Sequence, residues 1–157
     1  REGDLTSADC SDAPELVALA RDRGLDVDPN VRQALADLHI HESIRGFMAQ
    51  RIRVAVAAGR VPGPEGSLAK LTGSLLARRV RDVAVAVLGP EVQAWEDGTA
   101  GSEPAERWST FCISAAGISI AGGTDEVQRN IIGERVLGLP KEPDPFKGAA
   151  WLDVPRS

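Results

Sequence analysis

Two long runs with helical apolar periodicity, set between Pro and Gly punctuation, constrain the fold more than anything else in this sequence. The first runs from about Pro29 to Ala58, with Asp28 as cap and Pro29 at its first position. It carries two apolar stripes: Val31, Leu35 and Leu38 leading to Ala49, Ile52 and Val56, and Ile40, Ile44 and Phe47 leading to Val54. A helix with two apolar faces touches neighbours on both sides. Gly59 and the stiff turn Val61-Pro62-Gly63-Pro64 end it. The second run, about Glu65 to Leu88, places Leu68, Leu71, Leu75, Val80, Val83 and Val87 at helical spacing and stops at Gly89-Pro90.

Shorter helices are predicted at 13–23, capped by Ser11 or Asp12 and stopped by Gly24, and at 104–120 and 125–136. Residues 91–103 read as a polar surface loop. Strand patterns are scarce: Tyr is absent, and alternating apolar runs are short. Long helices joined by short turns predict an all-α antiparallel four-helix bundle over 13–137. The polar segment 1–12 precedes it, and an irregular tail with four prolines occupies 138–157. The polar start at Arg1 is read as a cut inside a longer chain.

The 157 residues fit one domain, 43% hydrophobic and 26% charged. A net charge of −5 argues against a nucleic-acid partner, whose phosphates need a basic face. No apolar run reaches the roughly 20 residues of a membrane span. Cys10 and Cys112 lie far apart with no metal-ligand spacing, which suits reduced thiols in a cytoplasmic protein. His39 and His41 point to different sides of their helix and lack a Glu-x-x-His partner pattern, so no metal site is expected. Glu42 and Arg45 read as an ion pair within the bundle, and Arg78, Arg79 and Arg81 as a solvated basic face.

The chemically informative stretch is Ala121-Gly122-Gly123-Thr124-Asp125-Glu126-Val127-Gln128-Arg129-Asn130-Ile131-Ile132, continuing to Leu137-Gly138-Leu139-Pro140. The glycines let the backbone bend sharply and approach another group closely. Thr124 and Asp125 are both good caps, and Asp125 with Gln128 has capping-box spacing. The free N–H groups of such a helix start attract an anion or a polar ring edge.

This string closely resembles the C-terminal signature of acyl-CoA dehydrogenases. Upstream, Arg32-Gln33-Ala34-Leu35-Ala36 and Pro62-Gly63-Pro64-Glu65-Gly66-Ser67-Leu68-Ala69-Lys70-Leu71 resemble a branch of that family common in bacteria. The resemblance covers about residues 13–142. It implies the C-terminal helical domain of an enzyme in which a carboxylate removes the α-proton of an acyl-CoA thioester and hydride passes from the β-carbon to FAD. Electrons then leave to an electron-transfer flavoprotein. FAD lies between the middle and C-terminal domains and reaches a neighbouring subunit, so a homo- or hetero-oligomer is implied.

Carried over residue by residue, the resemblance puts Thr124, Asp125 and Glu126 at the helix start that contacts FAD, and Gly123 near the thioester. Arg23 matches an arginine used on the cofactor phosphates and Gln33 a flavin-side glutamine. The pattern also breaks. The usual base position is Gly122, which has no side chain to take a proton, so no catalytic residue is assigned within this chain. Leu25-Asp26-Val27 stands where Phe-Gly follows the arginine, Gly89-Pro90 where the turn near the pyrophosphate has two glycines, and Ala86 where a Gln is common. These breaks admit a second expectation, a non-catalytic structural subunit or domain of a heteromeric acyl-CoA dehydrogenase. Either way, the fragment alone is expected to be inactive, and its exposed apolar faces are expected to drive association into a dimer or larger.

Overall fold

A computed structural model of the chain describes residues 12–61, 63–93, 103–143, 145–150 and 152. Among these, the regular elements are helical: α1 (Ala13–Asp22), α2 (Pro29–Ala57), α3 (Glu65–Leu88), α4 (Glu103–Ile118) and α5 (Asp125–Arg135), with a 3-10 turn at Gly89–Val92. The two long helices stop within a residue of where the Pro and Gly signals put them. Of the expected surface loop 91–103, residues 91 and 92 belong to the 3-10 turn and Glu103 opens α4, while residues 94–102, like Cys10, lie outside the described residues.

Local chemistry explains the boundaries. Asp28 caps α2 by accepting from the N–H groups of Asn30, at 2.7 Å, and Val31, at 3.1 Å. Gly89 ends α3 with φ +61°, a conformation that costs a glycine little. The start of α1 differs from the sequence expectation. Asp12 occupies the cap position without a side-chain cap bond. Glu42 of α2 supplies the acceptor instead, its Oε1 taking the N–H groups of Asp12 and Ala13 at 3.0 and 3.2 Å. Glu42, expected only in an ion pair with Arg45, thus ties α1 to α2.

Cross-helix contacts give the topology. Arg79 of α3 reaches Asp37 of α2 at 3.0 Å, while the far end of α2, near Ile52 and Val56, shares a groove with Leu68, so α2 and α3 are antiparallel. Ser109 of α4 donates to the Val92 carbonyl, and Lys70 of α3 meets Ser119 just beyond the end of α4, so α4 also runs against α3. Asp125 at the start of α5 contacts Ser74 and Arg78, while Ile131 and Arg135 lie beside Gly66 and Ser67. Every other helix except α2's short satellite α1 therefore packs antiparallel on α3, the central helix.

The core gathers at one end. Leu16 and Ala20 of α1, Val31, Leu35 and Leu38 of α2, Val80, Val83, Ala84, Val87 and Leu88 of α3, Val92 and Trp108 are buried together. Trp108 is fully buried, edge-on to Phe111. The other end is less filled. Of the two α2 stripes, the first is buried only through Leu38, and the second is open: Ile40, Ile44, Phe47 and Val54 are 54%, 49%, 66% and 64% exposed.

Four such side chains along one helix make an apolar stripe of the kind that marks an interaction surface. Sedimentation of the chain is therefore expected to show a dimer or larger species. Replacing Ile44 and Phe47 by Asp is expected to shift it toward monomer. A wild-type chain that stays monomeric at high concentration contradicts this.

Candidate functional site

The glycine-rich loop between α4 and α5 is built by the ends of both helices. Beyond Ile118 the chain turns through Ser119, Ile120 and Ala121 and reaches Gly122 and Gly123, with φ of +68° and +94°. These two left-handed residues reverse the backbone so that Thr124 can start α5. Thr124, not Asp125, is the cap: its Oγ1 accepts from the Val127 N–H at 3.3 Å. The capping-box spacing of Asp125 and Gln128 is used differently. Gln128 Nε2 reaches back to donate to the Gly122 carbonyl at 3.1 Å. A Cβ at Gly123 would lie 2.8 Å from that Nε2, so a side chain there would push Gln128 aside.

Asp125 turns inward. Only 2% of the residue is exposed, and its Oδ1 accepts from Ser74 Oγ at 2.6 Å and pairs with Lys70 Nζ at 3.0 Å, while Oδ2 pairs with Arg78. The Ser74 hydroxyl, with Lys70 and Arg78 behind it, holds the Asp125 carboxyl below the ordinary carboxylate range against the opposing effect of burial. Its N–H is also committed, donating to the Ser119 carbonyl at 3.1 Å. Both polar groups that Asp125 could offer a ligand at the helix start are therefore used inside the chain.

Glu126 faces solvent. Its own backbone N–H, then the Thr124 hydroxyl, lower its carboxyl pKa, and Arg129 lies 3.5 Å away. No described residue takes the N–H groups of Gly123 and Thr124. The loop thus presents unclaimed amide donors beside an exposed carboxylate. Gly122 itself is exposed, and a Cβ there would meet nothing within 4 Å. A groove beside it is lined by Gly66, Ser67, Lys70, Gln128, Ile131 and Arg135.

Arg23 and the Gly89-Pro90 turn, distant in sequence, come together elsewhere. Arg23 donates to the Leu88 carbonyl at 3.4 Å and forms an ion pair with Glu91. The Arg23 hydrogen bond and charge hold the Glu91 carboxyl below its ordinary value. Ten residues of α3 separate Arg78 from Leu88, about 15 Å of helix at 1.5 Å per residue. The predicted positions therefore form two patches, one at each end of that span. Gln33 is exposed in the first turns of α2.

Sequence reasoning missed Lys70, Ser74 and Arg78. They stand at i, i+4 and i+8, on one face of α3. Such a polar stripe on a buried helix needs an acidic partner. That requirement was the available signal, and it singled out no particular carboxylate. Arg78 belongs to this cluster, whereas Arg79 and Arg81 pair with Asp37 and Asp82.

A sequence model of the family described as acyl-CoA dehydrogenase, C-terminal domain, matches residues 14–137. Over 128 residues the chain is 34% identical to the acyl-CoA dehydrogenase IpdE1 of Mycolicibacterium smegmatis. Over 133 residues it is 30% identical to the IpdE1 of Mycobacterium tuberculosis. Each match takes in 81% of this chain but only 30% and 31% of the relative, so the chain spans less than a third of their length. Among solved structures, the ChsE4-ChsE5 complex from Mycobacterium tuberculosis matches with 25% identity and a TM-score of 0.65, over 88% of this chain and 37% of that one. The Tcur3481-Tcur3483 steroid ACAD matches with a TM-score of 0.70 at 22% identity, over 83% and 34%, a likeness of fold.

Proposed function

Since this chain belongs to the acyl-CoA dehydrogenase family, through its C-terminal domain, we propose that it supplies one wall of the flavin site in an enzyme that desaturates an acyl-CoA thioester. The observation that carries this reading is the Gly122–Thr124 loop, fixed from inside and leaving backbone amide donors open. Oriented backbone donors of this kind suit a flavin ring edge or a thioester carbonyl. The residues present fit FAD unevenly. In this reading Thr124 and Glu126 meet it at the start of α5, and Asp125 supports them from within. Arg23 suits a pyrophosphate in charge, but here Glu91 holds it and would have to release it.

FAD, when bound, supplies the hydride acceptor. This chain's part is to orient. Gly123 and Thr124 offer N–H groups, and the apolar groups of α4 and α5 help exclude water. Gly122 has no group to accept the α-proton, so the base is placed upstream or in a partner chain. The assembly we propose is oligomeric and cytoplasmic, passing electrons to an electron-transfer flavoprotein. Cys112 as a free thiol suits that compartment, and no helix among the described residues is long and apolar enough to cross a membrane.

A second reading is favoured by a specific pair of observations. Gly122 lacks a base, and Glu91 neutralises the arginine that would meet the cofactor phosphates. Both suit a non-catalytic subunit beside an active sister in a heteromer, and the similarity to the two-chain ChsE4-ChsE5 complex supports a heteromeric setting. One experiment separates the readings. The native protein is prepared with and without its co-purifying partner chain, and bound flavin and its bleaching by acyl-CoA thioesters are measured. The dehydrogenase reading expects flavin that bleaches with substrate and is reoxidised by an electron-transfer flavoprotein. Flavin that stays with the partner chain, and still bleaches, when this chain is removed supports the structural subunit. An assembly without flavin or thioester oxidation overturns both.

A further inference from the structure

The buried ion cluster on α3 sits directly behind the loop just described. Lys70 Nζ donates to the Ser119 carbonyl at 3.3 Å, where the chain leaves α4, and to Asp125 Oδ1 at 3.0 Å, where it enters α5. The Asp125 N–H donates to the same Ser119 carbonyl at 3.1 Å. Lys70, Ser119 and Asp125 therefore close a three-way junction at the base of the loop. Ser74 and Arg78 hold the remaining capacity of the carboxylate. On the opposite flank Gln128 fixes the Gly122 carbonyl.

Such a cluster is costly to bury, and well-packed apolar residues often give equal or greater stability. Its use is better sought in what it fixes. Gly122 and Gly123 have no side chains to anchor them, and glycine has the widest backbone freedom. The position of their amides is set by the two ends of the loop and by Gln128. The ends are held by Lys70 and Asp125.

We propose that Lys70, acting through Ser119 and Asp125, is a positioning residue that sets the Gly122–Thr124 amides against the flavin and thioester. This rests on the dehydrogenase reading above. A misplacement of about 1 Å at a reacting centre can cost about 10²-fold in rate.

The test uses the native assembly. Lys70→Met removes the ammonium and leaves Asp125 paired with Arg78 and Ser74, so its charge stays matched. Lys70→Arg is the conservative partner, and Arg79→Met, which breaks a pair with Asp37 on the same helix, is the control. Lys70→Met is expected to speed amide exchange at Asp125, whose N–H is bonded to the Ser119 carbonyl, by about 10-fold or more. Turnover per bound flavin is expected to fall by between about 10-fold and 10²-fold, with KM little changed. Lys70→Arg should recover most of both, and Arg79→Met should alter neither.

Unchanged exchange at the Asp125 amide overturns the proposal. So does faster exchange with undiminished turnover per bound flavin, because Lys70 would then be merely structural. A wild-type assembly that carries no flavin overturns the dehydrogenase reading and the positioning role together. It is told apart from failure of the clamp itself because amide exchange reads the loop without cofactor or turnover.

Discussion

FAD is expected to be absent from the 157-residue chain purified alone, and that chain is expected to leave every acyl-CoA thioester unoxidised. Three features of the molecule converge on this outcome. The described residues form a helical domain with the loop at 122–124 open to solvent on its outer side, so no described residue encloses a flavin there. Arg23 is held by Glu91. Gly122 cannot take a proton, and the loss of a positioned base costs about 10² to 10⁴ in rate. Losing the cofactor removes the hydride acceptor altogether, which is the larger effect. The absorbance spectrum of the purified chain and an assay with an artificial electron acceptor check this. A yellow, flavin-loaded preparation defeats it.

The second large effect is expected at Asp125. Replacing it by Asn leaves Lys70 and Arg78 facing each other across a buried site with no counter-charge. Removing one partner of a buried ion pair costs about 3–5 kcal/mol. The lower end, about 3 kcal/mol, applies, because the Lys70 and Arg78 side chains are 19% and 39% exposed and can partly hydrate. For a domain of this size, that loss lowers Tm by roughly 6–12 °C.

The sign of the pH dependence follows from the same contacts. Asp125 titrates lower in the folded chain than in the unfolded one, where its pKa is about 3.9. Its contribution is therefore present in full above about pH 4 and is lost as the pH falls through the lower folded value. The stability curves of wild type and Asp125→Asn should lie apart at neutral pH and converge in acid. A loss below about 1 kcal/mol at pH 7, or a gap that widens in acid, contradicts the account.

The fold was legible because its signals are local. Asp28-Pro29, Gly24, Gly59 and Gly89-Pro90 act on the residues beside them, and the helix ends followed. The site was legible in part. The Gly122–Gly123 bend and a cap at Thr124 could be read from residue chemistry, whereas the direction of Asp125 could not. Spacing makes it a plausible cap, and its burial comes from Lys70, Ser74 and Arg78, between 47 and 55 residues away in sequence. Likewise, Glu42 capping α1 depends on a contact spanning 30 residues. Long-range electrostatic pairing has no period, so a scan for helical spacing passes over it.

The open stripe on α2 has a thermodynamic consequence. A surface that is covered only by another chain makes folding and association a single linked equilibrium. The unfolding midpoint then depends on concentration and on how much partner is present. Partner at a hundredfold excess over its Kd adds about 2.7 kcal/mol, comparable to the whole Asp125 effect. Where another chain covers the stripe, the stability of this domain becomes a property of a mixture, fixed by composition as much as by the contacts of α2, α3 and Trp108.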